Sequence, residues 1–130
     1  MVITSGGVSS YANIYHIVLG KYKRKTTEDL IKKIVLEVLQ DANSKGLKSV
    51  GIPPIGTGGN HTPMKICVRA MLSAIEEYGS QFKNPKCKKI EICIFDEVVY
   101  ENFKKEYQIF ANSEELDSGS EDGKSNGGNK

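Results

Sequence analysis

Tryptophan is absent from this sequence, and histidine and cysteine are scarce, with two and three residues. The cysteines, Cys67, Cys87 and Cys93, are odd in number and contain no C-x-x-C pair, so nothing supports a disulfide framework. With only two histidines beside them, we expect no zinc site. We therefore interpret the cysteines as reduced thiols of an intracellular protein, cytoplasmic or nuclear, and expect no metal and no cofactor.

Long hydrophobic runs are also missing. No segment approaches the roughly 18 consecutive apolar residues that a membrane span needs, so we expect no membrane partner. Met1 to Thr4 shows no basic stretch followed by an apolar segment, and a secretory signal is therefore not expected. The 130 residues are enough for one domain with a hydrophobic core.

Charge divides the chain into two parts. Of 18 basic and 16 acidic residues, two basic and five acidic ones lie in residues 111–130, which leaves 16 basic and 11 acidic for residues 1–110. After Phe110 the aromatic residues end and Ser, Gly, Asp, Glu and Asn dominate. This composition predicts a folded domain over 1–110 and a disordered acidic tail over 111–130. The basic excess of the domain suits an anionic ligand.

Hydrophobic periodicity predicts four strands and three helices in the order strand, strand, helix, strand, helix, strand, helix. The predicted ranges are strands at Val2 to Thr4, Tyr15 to Leu19, Leu47 to Ile52 and Lys88 to Phe95, and helices at Thr26 or Thr27 to Gly46, Thr62 to Gly79, and Glu97 to Tyr107. Such alternation favours a layered α/β domain with largely parallel pairing. In these domains ligands bind beyond the carboxyl ends of the strands.

A glycine-rich loop lies at such a place, between the third strand and the second helix. It has three glycines in four residues from Gly56 to Gly59. Glycines allow backbone N–H groups to converge on an anion, and the start of a helix adds further donors. The loop therefore predicts a phosphate site, although a flexible connection is the alternative. Gly51 and Gly56 have the spacing of an ATPase phosphate loop, but Thr57 stands where that motif needs lysine, so that class is excluded.

The stretch from Lys48 to Gly58 resembles the second ligand loop of macro domains, in which a strand ends in proline and leads into a Gly-Thr-Gly turn. Val2 to Gly7, Tyr15 to Val18, and Ile92 to Asp96 resemble three other segments of that family in the same order. The resemblance is strongest to the domains of macrodomain-containing ADP-ribosyltransferases and covers about residues 1–110. It implies an α/β/α layered fold with a mixed, largely parallel sheet, truncated at its N-terminal side because the family's opening part has no match.

The resemblance implies a ligand and a site. The ligand would be ADP-ribose or a mono- or poly-ADP-ribosylated protein, whereas direct nucleic-acid binding is not expected. Phe95 falls where the family often places an aromatic ring against adenine, although a core phenylalanine at a strand end is an equal alternative. The implied ligand-binding residues are Ile55, Gly56, Thr57, Gly58, Gly59, Asn60 and Phe95.

Three functions stay open at this point. The favoured hypothesis is a binding module for ADP-ribose, without assigned catalytic residues. An ADP-ribosyl hydrolase is less favoured, because the family's Asn-rich loop for the distal ribose has no match here. The third is a degenerate fragment that serves as a protein-interaction surface. A basic cluster around Tyr22 could contact nucleic acid, but we interpret it as a solvated loop; it comprises Lys21, Lys23, Arg24 and Lys25.

Overall fold

A computed structural model describes residues 2–5, 13–17, 19–57 and 61–122. Its four strands and three helices follow the predicted order. The elements are β1 (Val2–Ser5), β2 (Asn13–His16), α1 (Arg24–Ser44), β3 (Ser49–Ile52), α2 (Met64–Gln81), β4 (Lys89–Ile92) and α3 (Glu97–Asp122). Across the described residues, no helix is long and apolar enough to cross a membrane.

The strands form one antiparallel and one parallel pair, which confirms the predicted α/β class. β1 runs antiparallel to β2, and β3 runs parallel to β4. Within the described ranges the two pairs share no ladder, so the mixed pairing is divided between two small sheets. β2 ends at His16 because His16 pairs with Val2, the first residue of β1, so the apolar residues after His16 have no partner in that strand. The prediction that this strand reaches Leu19 is therefore wrong, and Ile17 and Leu19 pack against the core instead.

Helix α1 supplies much of that core through one apolar face. The sequence has seven apolar residues from Leu30 to Ala42 at the 3–4 spacing of one helical face, which predicts a buried side. Six of them are buried, and the seventh, Leu30, is 37% exposed. The buried six are Ile31, Ile34, Val35, Val38, Leu39 and Ala42. The helix begins at Arg24, so the prediction of a threonine cap at its start is wrong. Thr27 acts from inside the helix, where its Oγ1 accepts the Lys23 N–H at 2.7 Å.

The core lies between α1, α2 and the inner faces of β3 and β4. Along β4, half-buried Ile90 and Ile92 alternate with exposed Lys89 and Glu91, as the sequence pattern predicts. At the far end of α2, the Tyr78 hydroxyl donates to the Cys87 carbonyl at 2.8 Å. This bond ties α2 to the segment before β4.

Helix α3 begins beside the end of β4 and packs through Phe103, which is 7% exposed. The Asp96 Oδ1 accepts the N–H groups of Val98 and Val99 at 2.8 and 3.2 Å, which satisfies two donors of the first turn. The helix continues to Asp122, so the prediction that it ends near Tyr107 is wrong. It passes the predicted domain boundary at residue 110, which stays a prediction. Residues 123–130 lie outside the described part of the chain.

Candidate functional site

The candidate site lies at the carboxyl edge of the β3–β4 pair. Ile52 and Ile92 are paired as the last residues of their strands, and the Cys93 N–H donates to the Ile52 carbonyl at 2.9 Å just beyond them. The two strands are parallel, so the segments that follow them leave the sheet at the same edge. One segment is the glycine-rich loop, and the other carries Phe95.

The first half of the glycine-rich loop is a tight turn. Gly56 has a φ of +83°, in the left-handed region that favours glycine. The Thr57 hydroxyl donates to the Pro54 carbonyl at 3.0 Å, while the Thr57 N–H reaches the same oxygen only at 3.5 Å. A distance of 3.5 Å is long for such a bond, so little is lost if this N–H turns to another acceptor.

The buried side chain of Ile55 attaches the turn to the hydrophobic core. Its side chain is 7% exposed and belongs to the core cluster. Its backbone hydrogen-bonds to the Cys67 thiol, but burial is the larger effect and raises the pKa of that thiol to about 12. Cys67 is thus an inert core residue rather than a nucleophile. The structure therefore places Ile55 at the root of the loop, with its side chain turned away from solvent.

Thr62 closes the loop on its far side. The Thr62 N–H donates to the Gly56 carbonyl at 2.8 Å, and the threonine is 4% exposed. A Cβ added to Gly56 would lie 2.7 Å from the Thr62 Oγ1 and 3.2 Å from the Leu19 Cδ1. Gly56 thus has no space for a side chain, and its contact with Thr62 closes the neck of the loop. Gly58, Gly59 and Asn60 lie outside the described residues, and their ligand contacts stay a prediction.

Phe95 is the second part of the site. It follows β4 by three residues and is 98% exposed, so the alternative of a core phenylalanine is wrong. Asp96 beside it caps α3, which fixes the backbone from which the ring projects. A ring this exposed buries almost no apolar surface within the chain, so it contributes little to the stability of the fold. It is available for stacking on a planar ligand.

Sequence reasoning missed two neighbours of the loop. The sequence predicts that Leu19 lies in a strand, and no local signal indicates that it packs against Gly56. The Thr62-Pro63 pair predicts Thr62 as the cap of α2, but Pro63 is the N-cap, and Thr62 packs against Gly56 instead. The Thr-Pro pair was a usable signal for the helix start but not for this contact.

The remaining polar candidates are all on the surface. His61, expected at the surface where α2 begins, is exposed and has a φ of +63°. The apolar strand around His16 predicts a core or half-buried histidine, which is wrong, because His16 is exposed. Cys93 is exposed as well, although its alternation with apolar neighbours predicted a core position. Over the described ranges, no three metal-ligating side chains cluster together.

The fold and site define a class: an α/β domain with a glycine-rich turn and an exposed aromatic ring at the carboxyl edge of parallel strands. Comparison with known proteins identifies the family. The sequence model of the Macro domain family matches residues 1–71, more than half of the chain. The chain therefore belongs to the Macro domain family, as its sequence motifs predicted.

Two relatives and two solved structures illustrate the match. Histone macroH2A1.1 of Capsaspora owczarzaki is 29% identical over 96 residues, covering 73% of this chain and 26% of that protein. Human protein mono-ADP-ribosyltransferase PARP14 is 31% identical over 108 residues, covering 80% of this chain and 6% of that protein. The Oceanobacillus iheyensis macrodomain with ADP superposes with a TM-score of 0.71 at 22% identity, covering 86% of this chain and 58% of that one. The Trypanosoma brucei macrodomain in complex with ADP-ribose gives 0.63 at 21% identity, covering 73% and 39%. The chain thus spans 58% of the Oceanobacillus iheyensis macrodomain and 39% of the Trypanosoma brucei macrodomain.

Proposed function

We propose that this chain is a binding module for ADP-ribose or ADP-ribosylated proteins, and that its glycine-rich loop holds the diphosphate. The observation that carries the proposal is that macrodomains of the same fold have been solved with ADP and with ADP-ribose. The relative PARP14 is named as a mono-ADP-ribosyltransferase, which connects this family with the same chemistry.

The geometry of the loop supports a diphosphate role. Gly56 and Thr62 hold the neck of the loop closed, so the two ends of the loop are fixed together near the sheet edge. The Thr57 N–H lies 3.5 Å from the Pro54 carbonyl, so it can donate a shorter hydrogen bond to a bound anion. Backbone donors of this kind bind phosphate without a charged side chain.

Phe95 supports a base-stacking role at the same edge. Stacking on an aromatic side chain contributes roughly 1–3 kcal/mol per base. Since Phe95 is almost fully exposed, its removal should weaken a nucleotide without weakening the fold. Stacking on the base of a bound nucleotide would account for the exposure of the Phe95 ring at this edge of the sheet.

Calorimetry with ADP-ribose, ADP and AMP tests the proposal. We expect binding of ADP-ribose and ADP but much weaker binding of AMP, because only the first two carry a diphosphate. Gly58→Glu introduces a carboxylate into the predicted phosphate loop and should abolish binding. Gly79→Glu makes the same change on α2, where a side chain meets nothing within 4 Å, and should leave it intact.

Phe95→Ala tests the stacking contact. The lost stacking predicts a fall in affinity of about fivefold to a hundredfold for ADP-ribose. Tyr107→Ala is the matched control, since Tyr107 is also exposed (48%) but lies on α3. Equal effects of the two variants, or no binding of any nucleotide by the unaltered chain, would contradict the proposal.

A second function is favoured by one observation on α3. Up to residue 113, where its side chains are described, this helix exposes four large apolar residues: Val98, Tyr100, Tyr107 and Ile109. Tyr100 and Tyr107 are seven residues apart and therefore share one face of the helix, and exposed aromatic side chains on one face are typical of protein contacts. If no nucleotide binds, a protein-interaction surface on α3 becomes the better hypothesis.

A further inference from the structure

A cluster of cations, which the sequence predicts to be a solvated loop, begins close to the root of the glycine-rich loop. The Leu19 Cδ1 lies 3.2 Å from the position a Gly56 Cβ would take. Lys21 follows Leu19 by two residues, so its Cα is within about 7 Å of that leucine along the chain. The tertiary structure thus brings the start of the cationic segment of residues 21–25 close to the root of the glycine-rich loop at Gly56.

Three of these cations are uncompensated. Lys25 pairs with Asp29 at 3.3 Å, and the nearby Arg69 is bound by Glu28 at 2.6 Å. Lys21, Lys23 and Arg24 are exposed, and none of the ion pairs among the described residues includes them. A net charge of about three is therefore directed at solvent beside the loop.

The position of the cations is unfavourable for the fold itself. Lys23 is the N-cap of α1, and the first turn of that helix has no acidic residue. Cations at this end of a helix are repelled by its dipole, typically by a few tenths of a kcal/mol or more each. The backbone of Arg24 also has a φ of +43°, a conformation that residues other than glycine rarely adopt. Local features that oppose stability are expected where a surface serves binding.

We propose that the side chains of Lys21, Lys23 and Arg24 form a second anion subsite, which binds the next diphosphate of an ADP-ribose oligomer. The inference rests on the proposed function, since the first unit occupies the glycine-rich loop. Adjacency to that loop favours this ligand over a nucleic acid. A single-stranded nucleic acid typically stacks its bases on aromatic residues within the basic surface, whereas the aromatic residue inside this cluster, Tyr22, is half-buried.

Binding of ADP-ribose and of its dimer, measured on the same protein, tests the subsite. The variant Lys21→Gln, Lys23→Gln, Arg24→Gln should reduce the ratio of dimer to monomer affinity about tenfold. The slope of log affinity against log salt for the dimer should also fall by about 2, since each phosphate contact contributes roughly 0.7–0.9. The change in the affinity ratio shows whether the subsite binds the second ADP-ribose unit. The change in the salt slope shows whether that binding is electrostatic.

A matched control removes the same charge elsewhere. Lys83→Gln, Lys86→Gln, Lys88→Gln changes three exposed lysines before β4, at the opposite edge of the sheet. It should leave the affinity ratio unchanged. Circular dichroism and thermal unfolding of both triple variants would establish that each is folded.

The outcomes separate this subsite from the proposed function. If the unaltered chain binds both ligands and the basic-cluster variant keeps their ratio, the subsite is wrong and the proposed function stands. If the unaltered chain binds neither, the proposed function fails and the subsite with it. If an oligodeoxynucleotide of equal charge binds as tightly as the dimer and the variant loses both alike, the cluster is a general polyanion surface and the proposal is overturned.

Discussion

Gly56→Ala should destabilise the fold strongly, and the structure allows its cost to be estimated. The left-handed φ of +83° costs an alanine about 1–2 kcal/mol. The new methyl group would also lie 2.7 Å from the Thr62 Oγ1, and relieving such a contact in a packed site costs roughly 1–3 kcal/mol. Together these effects predict a loss of about 3 kcal/mol, or a fall in Tm of about 15 °C for a domain of this size.

Two other glycines separate the contributions. Gly46 has a φ of +75° but only an ordinary contact at 3.9 Å, so Gly46→Ala should show the backbone cost alone, about 1 kcal/mol. Gly79 lies in α2 with open space around it, so Gly79→Ala should stabilise the protein by about 0.5 kcal/mol. Urea unfolding followed by circular dichroism would rank the three variants.

The ranking is the critical result. If Gly56→Ala costs no more than Gly46→Ala, the close packing of Gly56 against Thr62 does not exist and the closed neck of the loop is refuted. A double-mutant cycle with Thr62→Ala adds a direct measure, because removing the hydroxyl should recover about 1 kcal/mol of the Gly56→Ala cost. Additive effects of the two substitutions would contradict the contact.

Two further predictions concern the packing of the helices. The Arg69 guanidinium, hydrogen-bonded to Glu28, lowers the pKa of that carboxyl below 4.5. The pair therefore stabilises the fold fully above about pH 4.5 and less as the pH falls through the lowered pKa, so the destabilisation by Glu28→Gln in urea unfolding should shrink from pH 7 to pH 3. An equal effect at both values would refute the linkage. Tyr78→Phe leaves the Cys87 carbonyl without its 2.8 Å bond and should cost about 1–2 kcal/mol in the same assay, whereas Tyr100→Phe on the exposed side of α3 should cost less than about 0.5 kcal/mol.

The position of the site could be predicted because it depends on chain order and local composition. A strand followed by proline, glycines and a helix fixes a loop at the carboxyl edge of a sheet, whatever the rest of the fold does. The contacts inside the loop could not be predicted, since Leu19 and Thr62 reach Gly56 only after the chain has folded.

The sequence by itself determined the order of elements, the buried face of α1 and the alternation along β4. These features are periodic, and a period is a property of neighbouring residues. Only the tertiary structure decided that Phe95 and Cys93 are exposed while Ile55 is buried, because burial depends on which distant residues cover a side chain. It also decided that Leu19, just before the cations of residues 21–25, packs against Gly56, which joins two segments more than thirty residues apart.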